Sequence, residues 1–187
     1  MSRNYLLQKL STYAVSKYVL PEENQTVQRF ISFVQNNPFC FERSNYGHVT
    51  GSAWIVNSDF SKVLLTHHKK LNMWLQLGGH ADGDTNIQAV ALKEAQEESG
   101  IEHFNFLSEA IFDIDVHAMP NGCGYHYDVR FLLHAQSDDF SVSNESHDLA
   151  WVEHAKIQDY TNELSIIRMQ KKYQLGFGQF AHSSNKL

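Results

Sequence analysis

The chain has 187 residues, 42% of them hydrophobic and 19% charged, which suits one globular domain with length left for an extra helix or two. No apolar run reaches the roughly 18 residues of a membrane-spanning helix, and Gln8, Lys9 and Ser11 interrupt the stretch where a signal peptide would be continuous. A formal charge of −6 argues against a nucleic-acid polymer or an anionic membrane as partner, and Cys40 and Cys123 have neither metal-ligand spacing nor the number for a disulfide framework, so a cytoplasmic setting is expected.

Leu6, Leu10, Tyr13, Ala14 and Tyr18 recur at helical spacing over residues 4–19. Pro21 opens a second helical pattern on Val27, Phe30, Ile31 and Val34, which Asn36, Asn37 and Pro38 end. Residues 1–40 are therefore expected to be a helical extension packed on a main domain of 41–175, with 176–187 a mobile tail. HVTGSAWIV (48–56) and KVLLTHH (62–68) predict a hairpin, and WLQL (74–77) a short strand. A helix follows over about 85–99. Its candidate caps are Thr85, in a capping box with Gln88, or Asp84, and Gly100 suits its C-terminal stop.

AIFDIDVH (110–117) and YHYDVRFLLHA (125–135) predict a second hairpin around the loop AMPNGCG. Period-two alternation puts Asp113, Asp115 and His117 on one face of the first strand, and His126, Asp128 and Arg130 on one face of the second. LAWVE reads as a short strand and TNELSIIRMQKKY as a C-terminal helix. The sum is one mixed α/β domain.

The chemistry concentrates in LKEAQEESGI (92–101), where Glu94, Glu97 and Glu98 share one helix face. Like charges at that spacing repel by a few tenths of a kcal/mol per pair, so the face is either solvated or a platform for cations. Three carboxylates within a turn offer hard oxygen donors suited to Mg²⁺ or Mn²⁺.

The longer stretch GGHADGDTNIQAVALKEAQEESGI (78–101) resembles the Nudix box, G-x5-E-x7-R-E-U-x-E-E-x-G-U, where U is a bulky apolar residue. Gly79, Glu94, Glu97, Glu98, Gly100 and Ile101 match it, and Ala95 takes the first U position. Thr85 replaces the motif glutamate and Lys93 the motif arginine, which touches groups that steady the loop and helix in that family. Lys93 is a point charge and cannot supply a guanidinium fork. The resemblance implies a Nudix-type α/β/α sandwich with a mixed β-sheet, preceded here by the helical appendage. It also implies two or more Mg²⁺ (or Mn²⁺) ions held by Glu94, Glu97, Glu98 and the Gly78 carbonyl. Glu97 and Glu98 are then catalytic in hydrolysis of a pyrophosphate bond in a nucleoside diphosphate linked to another moiety. A catalytically silent domain that binds a nucleotide-like ligand is the alternative, with Thr85 and Lys93 as its support.

The same resemblance nominates Glu145, in the loop before the last strand, as an extra metal ligand or general base; a solvated loop glutamate is the plain reading. Glu153 is a weaker candidate. The wider pattern over residues 46–153 is similar to a subgroup of Nudix proteins. Within it, His80, Asp82, His126 and Asp128 are candidate substrate contacts or hydrogen-bonded structural groups, and Trp74 either stacks on a base or belongs to the core. These histidines and aspartates, with Asp84, are also zinc-competent donors, but their scatter over separate segments favours the other roles. His67, His68, Lys69 and Lys70 either meet phosphates or form a solvated turn. The expected partner is a small phosphorylated, nucleotide-like substrate, and the apolar N-terminal helices offer a surface for a homodimer.

Overall fold

The computed structural model describes residues 2–44, 46–120 and 123–177, and gathers them into two compact units. Residues 121 and 122 of the second hairpin loop, and 178–187 of the expected tail, lie outside the described residues. The described helices are α1 (Arg3–Ala14), α2 (Asn24–Asn36), α3 (Ile87–Ser99), α4 (Ile157–Tyr160) and α5 (Leu164–Gly176). The strands are β1 (His48–Val56), β2 (Lys62–His68), β3 (Met73–Leu75), β4 (Leu77–His80), β5 (Phe104–Phe106), β6 (Asp113–Ala118), β7 (Tyr125–Ala135) and β8 (Ser146–Glu153). They pair in the order β3-β2-β1-β7-β5, with β4 on β1, β6 on β7 and β8 on β2. The class is α/β, as expected, with two helices ahead of the first strand.

The first unit takes its residues from 1–52, 78–91 and 108–131. The helical spacing of the N-terminal extension is realised as burial of Leu6, Leu10 and Tyr13 from α1 and Val27, Phe30 and Val34 from α2. Between them Glu23 is buried and satisfied: Tyr13 Oη donates to it at 3.0 Å and the Leu20 N–H at 2.7 Å. Tyr127 of β7 stacks flat on Phe33 at 3.7 Å and meets Phe30 edge-on at 5.3 Å, so α2 is packed through aromatic rings. β6 and β7 pair antiparallel, with Asp113 opposite Arg130, Asp115 opposite Asp128 and His117 opposite His126. The shared faces expected from alternation are thus adjoining columns of one surface.

The second unit takes its described residues from 53–77, 92–107 and 132–177. Its core is Ala53, Ile55, Leu64, Leu77, Ala95, Ile101, Leu133, Ala135 and Leu149, against which Leu92, Phe104, Phe106 and Trp151 pack. β2 is flanked antiparallel by β8 and β3, and Val63, Leu64 and Leu65 are all buried, so both of its faces are covered, which is why the VLL run is apolar at consecutive positions. The strand expected over 74–77 is divided between β3 and β4. β5 and α4 had no expectation, since three or four residues are too few for a period to show.

Both ends of α3 are set by local hydrogen bonds. Its cap is Asn86, whose side-chain oxygen accepts the Ala89 N–H at 3.3 Å; neither Thr85 nor Asp84 fills that position. Asp84 instead accepts the Asn86 N–H at 2.7 Å and sets the approach to the cap. At the other end Gly100 has φ +69° and its N–H donates to the Gln96 carbonyl at 2.8 Å. A Cβ there would also run into Ser141 Oγ. Gly100→Ala is expected to destabilise the chain by about 1–3 kcal/mol, read as a lower urea midpoint at unchanged m. An unshifted midpoint would mean the helix end is free to rearrange.

Candidate functional site

α3 presents Glu94, Glu97 and Glu98 on successive turns, and the three differ in surroundings. Glu98 is 7% exposed, Glu94 half-buried and Glu97 exposed. Lys93, at the motif's arginine position, places Nζ 3.0 Å from Glu97 and 3.7 Å from Glu94. Hydrogen bonding to Glu97 holds this ammonium above its ordinary pKa. A protein cation therefore lies among the carboxylates. The donor set, all anionic oxygen, fits a divalent cation of the Mg²⁺ type, with the ammonium as a stand-in. Lys93 is 63% exposed, so its pairing is screened and weak.

Gly78 stands in β4, where an added Cβ would lie 2.6 Å from Ser52 Cα, so only glycine permits this approach of β4 to β1. Glu145 is exposed in the turn before β8; its carbonyl accepts the Lys69 N–H at 3.1 Å, while Lys69 Nζ donates to the Asn144 carbonyl at 2.7 Å. The 67–70 run therefore meets this turn. Trp74 is half-buried in β3, with its ring 5.1 Å from His67 in a stacked arrangement and 5.1 Å from Tyr160 edge-on. Its face is partly occupied by protein rings.

In the first unit, Asp82 is held by Arg43, which donates from both Nε and Nη2, the latter at 2.7 Å. Asp128, expected among the substrate contacts, is enclosed at 2% exposure. Thr50 and Ser52 hydroxyls donate to one of its oxygens at 2.8 and 2.7 Å, and Arg130 Nε to the other at 2.7 Å. Arg130 also donates to Asp113 at 3.0 Å. This engagement makes Asp128 a buried structural carboxylate, because its oxygens already face protein donors.

His80 and His126 do come together, and they bring His48, which the sequence reading left aside, and Cys123, which it had set apart for want of metal-ligand spacing to Cys40. His48, His80 and His126 form a triangle of rings with centroids 5.0, 4.8 and 4.9 Å apart. Cys123 Sγ lies 3.5 Å from His126 Nε2, 3.6 Å from His80 Nε2 and 4.0 Å from His48 Nε2. Burial and the neighbouring imidazoles push His126 down to about 3, and burial lowers His48 as well. One local trace was legible: C-G-Y-H at 123–126 is a C-x2-H pair.

A model of the NUDIX domain matches residues 48–170. No curated protein matches the chain. Among solved structures, a NUDIX-family hydrolase from Clostridium perfringens is similar at TM-score 0.59 and 23% identity, over 68% of this chain and 97% of that one. An Ap4A hydrolase from C. elegans, in a binary complex, gives TM-score 0.61 at 15% identity over 70% and 98% of the two chains. The NUDIX domain of Shewanella oneidensis NrtR, complexed with ADP ribose, gives 0.53 at 14% identity over 77% and 96%. At these identities the likeness is one of fold.

Proposed function

The chain belongs to the NUDIX domain family, and from that membership we propose that it hydrolyses a pyrophosphate bond in a nucleoside diphosphate linked to another moiety, with Mg²⁺ or Mn²⁺. The observation that carries the reading is the carboxylate face of α3, with Glu98 enclosed and Glu94 and Glu97 gathered around a cation. Bound divalent ions would neutralise charge on the phosphate oxygens and lower the pKa of an attacking water. Glu94, Glu97 and Glu98 would hold that charge in place, and the burial of Glu98 limits the side-chain freedom it has to lose. The Gly78 carbonyl is the further oxygen that the box implies, and Glu145 is the candidate to orient or deprotonate water.

The similar structures widen the choice of substrates to try, since one is an Ap4A hydrolase and another holds ADP ribose. A panel of dinucleoside polyphosphates, ADP-ribose, nucleotide sugars and nucleoside triphosphates, assayed with each metal, tests the reading. Metal-dependent release of a nucleoside monophosphate or diphosphate is expected. Ligand binding without product across the whole panel would overturn it in favour of a silent binding domain, the reading that Thr85 and Lys93 support.

Lys93 gives a second expectation. Its ammonium competes with the metal for Glu94 and Glu97, so Lys93→Gln is expected to tighten Mn²⁺ binding by roughly two- to fivefold, the worth of an exposed pair. Calorimetric titration reads the change, and weaker binding would show that Lys93 positions the carboxylates instead.

A further inference from the structure

We propose that His48, His80, Cys123 and His126 form a four-ligand site for a structural Zn²⁺ ion. The site uses none of the glutamates of α3, and all four residues lie in the first unit.

Geometry carries the inference. The four ligand atoms lie within 4.8 Å of one another. A tetrahedral Zn²⁺ with Zn–S about 2.3 Å and Zn–N about 2.0 Å places each nitrogen about 3.5 Å from the sulfur. The distances found are 3.5, 3.6 and 4.0 Å, so the three sulfur–nitrogen edges stand close to those of that tetrahedron, and with all four atoms within 4.8 Å of one another a small inward shift of the rings would complete it. Hydrogen bonding alone accounts poorly for the arrangement. A thiol has one proton to donate and a weakly accepting sulfur, yet three ring nitrogens converge on it.

The surroundings fit the same assignment. His48 Nδ1 lies 3.3 Å from the Ser44 carbonyl and 3.4 Å from the Ser44 N–H; the tautomer that donates to the carbonyl is the one that leaves the Nε2 lone pair for the cluster. His48 and His126 are buried, so the cluster is largely shielded from solvent on their side. Three histidines and one cysteine suit zinc more than Mg²⁺, which prefers oxygen. Four protein ligands close the coordination shell and leave no position for a reacting water, so the ion is structural. Binding would replace the thiol proton, which leaves to solvent, and the thiolate would take its place in the shell. The result ties the first residue of β1, the last of β4, the start of β7 and the residue Cys123 before it into one clip.

The full chain purified without chelator is expected to carry one Zn²⁺ per molecule by elemental analysis. Metal-free protein titrated with Co²⁺ is expected to develop a thiolate-to-cobalt charge-transfer band and tetrahedral visible bands, saturating at one equivalent and displaced by Zn²⁺. Cys123→Ser is expected to abolish the charge-transfer band. His126→Ala is expected to weaken Zn²⁺ by more than roughly 100-fold, beyond the 10–100-fold that losing a supporting group costs. Glu97→Gln is expected to keep the zinc and the cobalt spectrum. A folded wild-type chain with no charge-transfer band at excess Co²⁺ would overturn the proposal, whatever the variants do. So would wild-type Zn²⁺ affinity in Cys123→Ser.

Discussion

Glu97→Gln and Glu98→Gln are each expected to lower kcat on the active substrate by roughly 10²–10³-fold, the scale on which one preorganised charge contact contributes to a transition state. The amide keeps the volume of the carboxylate and removes its charge, so the helix need not repack. For Glu97, which is exposed and paired with Lys93 at the surface, stability should stay within about 0.5 kcal/mol of wild type. Glu98 is enclosed, and its variant needs a thermal melt beside the assay to separate unfolding from lost chemistry. Added Mn²⁺ should fail to restore either variant at concentrations that saturate wild type. Wild-type turnover in both would remove Glu97 and Glu98 from the reaction and leave the acidic face as surface.

The second large effect lies in stability. Arg130 is buried between Asp128 and Asp113, at 2.7 and 3.0 Å, and its side chain is 2% exposed. Arg130→Met would leave two enclosed carboxylates without their cation, at a cost of about 3–5 kcal/mol. For a chain of this length that is a fall in Tm of roughly 10 °C, read by calorimetry. Asp128→Asn should cost less, since the amide still accepts from Thr50 and Ser52. A loss below 1 kcal/mol in Arg130→Met would show that the two aspartates find other donors or take up protons.

The same group gives a pH expectation with a definite sign. Burial alone would raise the Asp128 pKa, but Arg130 and the hydroxyl of Ser52 more than offset it and hold the carboxyl below its ordinary range. A carboxylate whose folded pKa is depressed contributes stability that is complete above the unfolded value, near 4, and lost as pH falls toward the folded one. Wild-type Tm should therefore drop on acidification below pH 4. The drop should be smaller in Asp128→Asn, which has no charge there to lose.

Much of this molecule was legible in its chain, and the reasons are local. HVTGSAWIV, KVLLTHH and YHYDVRFLLHA coincide with β1, β2 and β7 because a strand's alternation or apolar run is written in adjacent residues. Glu94, Glu97 and Glu98 could be placed on one face for the same reason, since three- and four-residue spacing fixes helix geometry without reference to anything distant. Gly100 announced its own turn by lacking a side chain. The cap of α3 was misplaced by one or two residues, because Thr85, Asp84 and Asn86 all have capping side chains and only the backbone path chooses among them.

What the tertiary structure decided is which distant residues share a place. His48 and His126 are 78 positions apart in sequence, and nothing periodic links them or predicts that His80 and Cys123 will join them. Their meeting depends on β4 and β7 both pairing with β1, the strand that begins at His48. Asp128 shows the converse. Alternation gave its face correctly, yet only the folded neighbourhood of Thr50, Ser52 and Arg130 turned a candidate contact into an enclosed ion-pair member. Periodicity in one chain determines which way a side chain points; register and pairing between remote segments determine what it meets, and chemistry begins with the meeting.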